Sequence, residues 1–499
     1  MSHEIQAQQL HPRSPSVLSK GNWYKISIAK TGVYKVDFNF LTKNLGIPAS
    51  DLDFKTLGLF GYGGGALPEN NVITERDLPE NNIEIVDING NGKLEDGDYF
   101  LFYANGPYRW EYDLLDAVYK HTSAYYSDVQ AFFISTTEGT QHRVPSIDPL
   151  NSPVRTLNTY DYYNVYDLDS INPELSGRVW YANYLTNYNK TIELALPIEQ
   201  CTPGETTLIT FGYYTRLNNI PLSVSVNGVI VKTINLQPSS IYKIDTFKML
   251  CPGANSKIKF SVNSSITDNF YIDFVRTNTK ANLSYAGSQF NFRFRDGTNT
   301  SDIMQFNLSN GGNAKVWEVS NAKFANRAKM NNAGPNRTFS FTNGLAKEFV
   351  VFEDNNAYTP VAVGKIPNQD LQSLAGANNL IVTHRNWIKV AKDLATFHKE
   401  ERGIISNVVD VEEIYNEYSS GNKDVTAIRR FVMEQYLKTT SSNRLSTLTL
   451  FGKACVDYKG VNKLSNTCQD FVPTYETLHS SNFLESFCTD DYLALLGPN

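Results

Sequence analysis

The chain has 499 residues, of which 41% are hydrophobic, so at roughly 100 to 200 residues per domain it has room for two to four domains. Its net charge of −6 comes from 45 basic and 51 acidic residues that are mixed along the sequence, which argues against a nucleic-acid or anionic-lipid surface. No apolar run approaches the roughly 18 residues that cross a bilayer, and the first residues lack the pattern of a signal peptide.

The first part of the chain predicts a flexible lead-in, residues 1–20, and then a β-rich unit, residues 21–145. The stretch WYKISIAKTGVYKVDF, residues 23–38, alternates apolar and polar residues around Thr31 and Gly32, which predicts a β-hairpin. LGLFGYGGGALPENN, residues 57–71, predicts a short strand that enters a Gly-rich loop.

Residues 150–365 predict a β-sandwich-like domain. LSVSVNGVIVKTINL contains an Asn-Gly hairpin turn, and SKIKFSVNSSITDNFYIDFVRTN contains two more strands. Cys201 and Cys251 lie in this part, among five widely spaced cysteines. We expect both to be buried free thiols, with a bridge in an oxidising compartment as the alternative.

The pattern changes at about residue 370, and residues 370–499 predict an α/β subdomain. NNLIVTH, IISNVVDV and LSTLTLFG read as short buried strands, and helical spacing of apolar residues separates them. The first helix should end at Gly403, and Asp424 should cap another. Strands that alternate with helices predict a parallel sheet with right-handed crossovers. The apolar positions of the two helices are Trp387, Val390, Ala391, Leu394 and Phe397, and Ile428, Phe431, Val432 and Tyr436.

DINGNGKLEDGD, residues 87–98, has the spacing of a calcium-binding loop. A hard cation needs six or more converging oxygens, and Gly92 permits the sharp turn that brings them together. The predicted metal ligands are Asp87, Asn89, Asn91, Lys93 through its carbonyl, Glu95 and Asp98. Because the flanking residues read as strands, we predict a Ca²⁺-bound β-turn, with a metal-free Asn-Gly hairpin as the alternative.

Two other binding chemistries are not predicted. GYGGGA satisfies a dinucleotide pattern through Gly61, Gly63 and Ala66, but Pro68 follows where a helix should begin, so we predict no nucleotide. The histidines show no H-E-x-x-H spacing and the cysteines no C-x-x-C pair, so we predict no zinc.

A cysteine nucleophile needs a neighbouring histidine, and His384 and Cys455 both follow predicted strands. Lys453 lies two residues before Cys455, and His479 is a second candidate base. Nothing in the sequence brings these residues together. We therefore interpret them as a partly buried cysteine and unrelated histidines.

A set of motifs along most of the chain, taken in its order, resembles the gingipain-like cysteine peptidases, and among them the sortases of the type IX secretion system. The motifs are GNWYKISIAKTGVYKV, LFGYGGGALPENN, INGNGKLEDGDYFLFYANGP, SGRVWY, YIDFVRTN, LIVTH, IYNEYSSGNKDVTAIRRF, LTLFGKACVDYKG, NTCQDFVPTYET and TDDYLALLG. Lys453 departs from this pattern, since family members usually have Asp there.

The resemblance implies β-rich N-terminal domains followed by the first half of a caspase-like α/β domain. It implies a surface or outer-membrane protein whose partners are secreted cargo with C-terminal sorting signals and other secretion components. The family removes those signals through a Cys and a His, which we expect to lie beyond residue 499, so neither His384 nor Cys455 is expected to be catalytic. We therefore expect a noncatalytic portion of the sortase. The alternative is a β-rich surface module for binding or secretion-complex assembly.

Overall fold

The computed structural model describes residues 15–70, 77–237, 242–295, 299–333, 336–343, 347–441, 443–461, 468–478, 480 and 485–497. Within these ranges, no helix has both the length and the apolar character that a membrane span requires.

Ten strands lie in the described residues before residue 150. They are β1 (Trp23–Ile28), β2 (Gly32–Asp37), β3 (Gly58–Phe60), β4 (Glu80–Asn81), β5 (Glu84–Val86), β6 (Tyr99–Ala104), β7 (Tyr108–Asp113), β8 (Val118–Ser123), β9 (Gln130–Ser135) and β10 (Ser146–Ile147).

Between residues 150 and 370, the part of the chain that the structure describes has eighteen further strands. They are β11 (Arg155–Leu157), β12 (Thr159–Asp167), β13 (Asn183–Leu185), β14 (Thr191–Ala195), β15 (Thr206–Thr215), β16 (Ile220–Val226), β17 (Val229–Leu236), β18 (Lys243–Leu250), β19 (Lys257–Val262), β20 (Phe270–Asn282), β21 (Phe290–Arg293), β22 (Ile303–Leu308), β23 (Lys315–Glu318), β24 (Asn326–Ala328), β25 (Asn331–Ala333), β26 (Asn336–Thr342), β27 (Glu348–Phe352) and β28 (Val361–Ile366).

The last part alternates strands and helices. Its elements are β29 (Asn379–Thr383), α1 (Ile388–Arg402), β30 (Ser406–Asp410), α2 (Val411–Tyr418), α3 (Val425–Leu437), β31 (Thr447–Phe451), β32 (Tyr475–Glu476) and β33 (Cys488–Thr489). Short helical turns occur at Val17–Ser19, Phe40–Asn44, Ala49–Asp51, Ala322–Phe324, Asp354–Asn356, Arg385–Trp387 and Asp491–Ala494.

Two facing sheets form the N-terminal unit, with strand orders β28-β1-β9-β3-β4 and β2-β6-β5. The hairpin predicted around Gly32 is wrong, because β1 pairs with β28 and β9 whereas β2 pairs with β6. Ile26 of β1 and Val36 of β2 lie in one buried core, so the alternation correctly marks two half-buried strands. Alternation predicts a buried face but does not identify the pairing partner.

The sandwich packs a large, mainly antiparallel sheet against two four-stranded sheets. The large sheet follows the order β10-β24-β23-β27-β21-β12-β20-β15-β18, and the smaller sheets follow β14-β19-β16-β17 and β11-β22-β26-β25. The predicted Asn-Gly hairpin is confirmed, since β16 and β17 pair across Asn227 and Gly228, both with positive φ. Phenylalanines fill much of the core, as in the stacked pair Phe292 and Phe349. β28 belongs to the N-terminal sheet, so the sheets do not divide the chain at residue 365.

The predicted parallel sheet is confirmed. β29 lies at its centre, between β30 and β31, and pairs with both in parallel. Gly403 ends α1 with φ +65°, and the Asp424 side chain accepts a hydrogen bond from the Thr426 amide at the start of α3. The helix signals in the sequence are local, so they place these ends correctly.

Candidate functional site

The carboxyl ends of the parallel strands meet at one edge of the sheet, where open α/β sheets usually bind ligands. Thr383, the last residue of β29, lies opposite Asp410 of β30 and Phe451 of β31. His384 follows directly. The edge therefore brings His384 near Asp410 and the segment that leads to Cys455.

His384 has a structural role at this edge. Its Nδ1 accepts a hydrogen bond from the Asn386 amide at 3.3 Å and so caps the helical turn Arg385–Trp387. Its ring packs against Phe471 at 5.2 Å between centroids. Asp410 caps α2 through the Glu412 amide, and burial raises the pKa of Asp410.

Cys455 is bonded to Cys468, with their Cα atoms 5.4 Å apart. The Cys455 amide donates to Asp470, whose carboxylate also pairs with Lys423. This bridge is not predictable from the sequence, because 13 residues of separation do not determine whether two Cβ atoms face each other. A bonded sulfur is not a thiolate, so Cys455 is no nucleophile in this state. His479 lies outside the described residues.

The preference for free thiols at Cys201 and Cys251 is wrong. The two residues form a disulfide with Cα atoms 5.9 Å apart. The Cys251 amide also donates to the Glu205 carbonyl, which holds the ends of β15 and β18 beside each other. Antiparallel pairing of distant strands brings the two cysteines together, and spacing along the sequence does not reveal such pairing.

The α/β subdomain meets the N-terminal unit at the turn between α2 and α3, residues 419–424. Ser420 Oγ accepts from the Tyr62 amide at 2.9 Å, and Asp424 Oδ2 accepts from the Leu67 amide at 2.9 Å. Asn422 Oδ1 accepts from the Ala131 amide of β9 at 2.7 Å. The Gly-rich loop and β9 therefore hold this turn by hydrogen bonds. We call the contact between the turn and these two segments the junction.

Close backbone approach explains the glycines of the junction. Gly421 has φ +78°, and a Cβ there would lie 2.9 Å from Lys25 Cε and 2.9 Å from Phe133 Cζ. A Cβ on Gly61, with φ +128°, would lie 2.7 Å from Ser420 Oγ. Only glycine combines these backbone angles with such contacts.

Polar side chains of α2 and α3 are buried behind the junction. Arg429, 1% exposed, donates to the carbonyls of Leu495 and Glu69 at 2.7 Å each. Glu417 Oε1 accepts from the Leu371 amide and from Gln369 Nε2, each at 2.9 Å. Burial raises the pKa of Glu417 to about 7. These residues link segments that are far apart in sequence.

Sequence reasoning missed the junction, although both of its halves were visible. GYGGGA satisfies a dinucleotide pattern, and SSGN, residues 419–422, lies within the motif IYNEYSSGNKDVTAIRRF. Four small or polar residues between two helices are typical of an exposed loop. In this turn Ser419, Ser420 and Asn422 are instead buried.

The loop at residues 87–98 joins β5 and β6, which pair as the predicted flanking strands. Asp87 accepts from the amides of Gly90 and Gly92, Asn89 from that of Asn91, and Asn91 from that of Lys93. The amide groups of Asn89 and Asn91 both donate to Glu95.

Asp98 differs from the other predicted ligands because it is 1% exposed. Its carboxylate accepts from the amides of Ile88 and Glu95, and so holds the loop ends together. Among the described residues, no three His, Cys, Asp or Glu side chains converge as a metal site. A cation in this loop would therefore depend on amide and carbonyl oxygens as well as carboxylates. Each Asn oxygen keeps a second lone pair for that purpose.

The comparisons with known proteins agree with this architecture. Residues 372–499 match the model of peptidase family C25. The structure is similar to crystalline dimeric latent PorU from Porphyromonas gingivalis, with a TM-score of 0.82 and 23% identity over 97% of this chain and 46% of that one. The chain thus spans about half the length of the PorU chain, and the two share a fold. No curated protein sequence matches the chain.

Two smaller structures overlap about a quarter of the chain. A family 35 carbohydrate-binding module from Clostridium thermocellum has a TM-score of 0.17 at 20% identity, over 24% of this chain and 98% of that one. A CBM35 from Paenibacillus barcinonensis has a TM-score of 0.18 at 17% identity, over 23% of this chain and 96% of that one.

Proposed function

Because residues 372–499 of this chain form a peptidase family C25 domain, we propose that the chain is the supporting part of a type IX sortase-like protein. In this role it presents cargo or partner subunits and does not cleave peptides by itself. The observation that carries the proposal is the junction, which joins the C25 domain to the N-terminal unit through buried hydrogen bonds.

The chemistry of the candidate residues supports a noncatalytic role. A cysteine peptidase needs a free thiolate within reach of a histidine base. Cys455 is bonded to Cys468, and His384 uses Nδ1 to cap a helical turn. The edge of the sheet is thus occupied by structural contacts rather than by an activated nucleophile.

We further propose a location at the extracellular face of the cell envelope. The two disulfides support this location, because such bonds persist in oxidising compartments. The fold shared with PorU is consistent with it.

A peptidase assay tests the inactivity of the chain. We expect no cleavage of fluorogenic gingipain substrates, with or without reductant, and no difference between the wild type and Cys455→Ala. Cleavage that Cys455→Ala abolishes would overturn the proposal, because Cys455 would then act as the nucleophile.

A binding assay separates the sortase scaffold from the alternative, a surface or assembly module. The chain is immobilised, and the purified C-terminal sorting domain of a type IX cargo is passed over it by biolayer interferometry. We expect saturable binding of the sorting domain and none of the cargo that lacks it. Equal responses to both would favour the surface module.

We also propose that the loop at residues 87–98 binds Ca²⁺. The inward-facing oxygens of Asp87, Asn89 and Asn91 support this, as do Gly90 and Gly92, whose positive φ angles make the turn compact. Calorimetric titration with Ca²⁺ should release or absorb heat with the wild type and not with Asp87→Ala. Identical flat traces for the two proteins would contradict the assignment.

A further inference from the structure

A large cavity lies away from both the sheet edge and the junction. It has a volume of about 840 Å³ and sits on the outer face of β15, β18 and β20, opposite the sandwich core. The β7–β8 hairpin covers one side, and Lys459 and Leu478 of the C25 domain reach another. All three parts of the molecule therefore contribute to one concave site of the size that small ligands occupy.

The floor of the cavity depends on a glycine in the middle of a strand. A Cβ on Gly212 of β15 would lie 1.7 Å from the Tyr242 hydroxyl oxygen. That hydroxyl donates to Asp273 Oδ2 at 2.6 Å. The pairing of β15 with β20 shifts register at this position. A strand glycine often marks a place where another group must come close.

Hydrogen-bonding groups of both kinds line the wall. His121 lies between Asp167, at 3.4 Å from its Nε2, and Arg276, at 3.3 Å from its Nδ1. Lys459 contacts Asp169 at 2.7 Å. Besides His121, the lining includes five carboxylates and five Lys or Arg side chains, and the central ones are already paired. A charged ligand would meet compensated charge of both signs and gain little, whereas a neutral one could use donors and acceptors alike.

Apolar surface accompanies these polar groups. Ile244 and Leu478, which are 60% and 41% exposed, line the cavity, whereas the rings of Trp180, Tyr181 and Phe274 are buried in its wall. Apolar surface next to carboxylates, a guanidinium and hydroxyls suits a ligand whose ring has C–H faces and hydroxyl edges.

We propose that this cavity binds a neutral saccharide of one or two sugar rings, with its hydroxyls on the paired polar groups and its C–H faces on the apolar surface of Ile244 and Leu478. The proposal does not depend on the sortase-like role, because it concerns neither the sheet edge nor peptide cleavage.

The test uses three variants at exposed threonines. Thr246 lies on β18 and lines the cavity, whereas Thr233 lies on β17 and does not. Thr246→Trp fills the cavity from an exposed position, Thr246→Ala removes only the hydroxyl, and Thr233→Trp is the matched control. Circular dichroism should show the same fold for all three.

Binding is measured by saturation-transfer-difference NMR with glucose, galactose, mannose, N-acetylglucosamine, N-acetylgalactosamine, lactose and chitobiose. We expect at least one of them to bind the wild type and Thr233→Trp with equal affinity, Thr246→Ala within a few-fold, and Thr246→Trp at least tenfold more weakly. Absence of binding for the whole panel up to about 30 mM would overturn the proposal, as would undiminished binding to Thr246→Trp. An unrelated extended peptide that binds while the sugars do not would also overturn it.

Discussion

The helices α1 and α3 belong to the same subdomain, yet one is largely exposed and the other is enclosed. On α1 only Ala391 is buried, and Val390 and Phe397 are about half exposed. On α3 even Arg429 and Glu434 are buried. The N-terminal unit and the turn Asp491–Ala494 enclose α3, so its polar residues have protein partners in place of water. The apolar pattern of a sequence thus predicts that a helix forms better than it predicts how much of the helix surface the rest of the protein covers.

The largest expected effect comes from removing the charge that α3 buries. Arg429→Met leaves the carbonyls of Leu495 and Glu69 without their donors, which should lower the free energy of unfolding by about 3 to 5 kcal/mol. Arg402→Met, in the exposed last turn of α1, should change it by no more than about 0.5 kcal/mol. Urea unfolding measures the free energy of unfolding of both variants. Equal losses in the two would contradict a stabilising role for the enclosed Arg429.

Two glycines provide a second comparison. Gly421→Ala adds a Cβ in a left-handed conformation against Lys25 and Phe133, and should destabilise the protein by about 2 to 4 kcal/mol. Gly403→Ala, at the end of α1, meets the same backbone strain with no atom within 4 Å, and should cost about 1 kcal/mol. Thermal unfolding of the two variants is the measurement. A Gly421→Ala protein no less stable than Gly403→Ala would contradict the close contact at the junction.

The third comparison concerns pH. The folded-state pKa of Glu417 is about 7 against an ordinary 4.5, so the folded state binds this proton more tightly. The protonated Glu417 side chain therefore contributes to the stability of the folded state below about pH 4.5, and this contribution is lost as the pH rises through about 7. Glu417→Gln should therefore be more stable than the wild type at pH 8, by about 2 to 3 kcal/mol, and similar to it near pH 5.

The control for this prediction is Glu400→Gln, which removes an exposed carboxylate from α1. The free energy of unfolding of Glu400→Gln should match that of the wild type within about 0.5 kcal/mol at pH 5 and at pH 8. The measured quantity is the difference in the free energy of unfolding between each variant and the wild type, from urea unfolding at pH 5 and pH 8. A difference is needed because other buried acids also make the stability depend on pH. A Glu417→Gln protein with the same pH dependence as the wild type would refute the buried, protonated state.

The parallel sheet and its helices could be predicted because their signals are local. A cap such as Asp424 or an end such as Gly403 acts within one turn of the chain. The Asn227-Gly228 hairpin is equally local. The general class, a β-rich region followed by α/β elements, follows from the same periodicities.

The remainder depends on contacts between distant residues. Nothing near Gly32 indicates that β2 will pair with β6 rather than with β1, and nothing near Cys455 indicates that Cys468 will face it. The same holds for the burial of Ser420, which follows from the loop at Tyr62. The loop at residues 87–98 is the opposite case, since its spacing suffices to propose Ca²⁺ binding and a titration is needed to test it.

The pairing of β1 with β28 has a consequence for how the chain folds. Trp23 lies opposite Ile366, so an edge of the first sheet is supplied only after the whole sandwich has been synthesised. Such a contact is highly non-local, and loop-closure entropy makes it slow to form. During synthesis the sandwich can therefore fold as an insertion within an unfinished N-terminal sheet. The α/β subdomain emerges next, and β9, whose Ala131 amide donates to Asn422, is by then held between β1 and β3.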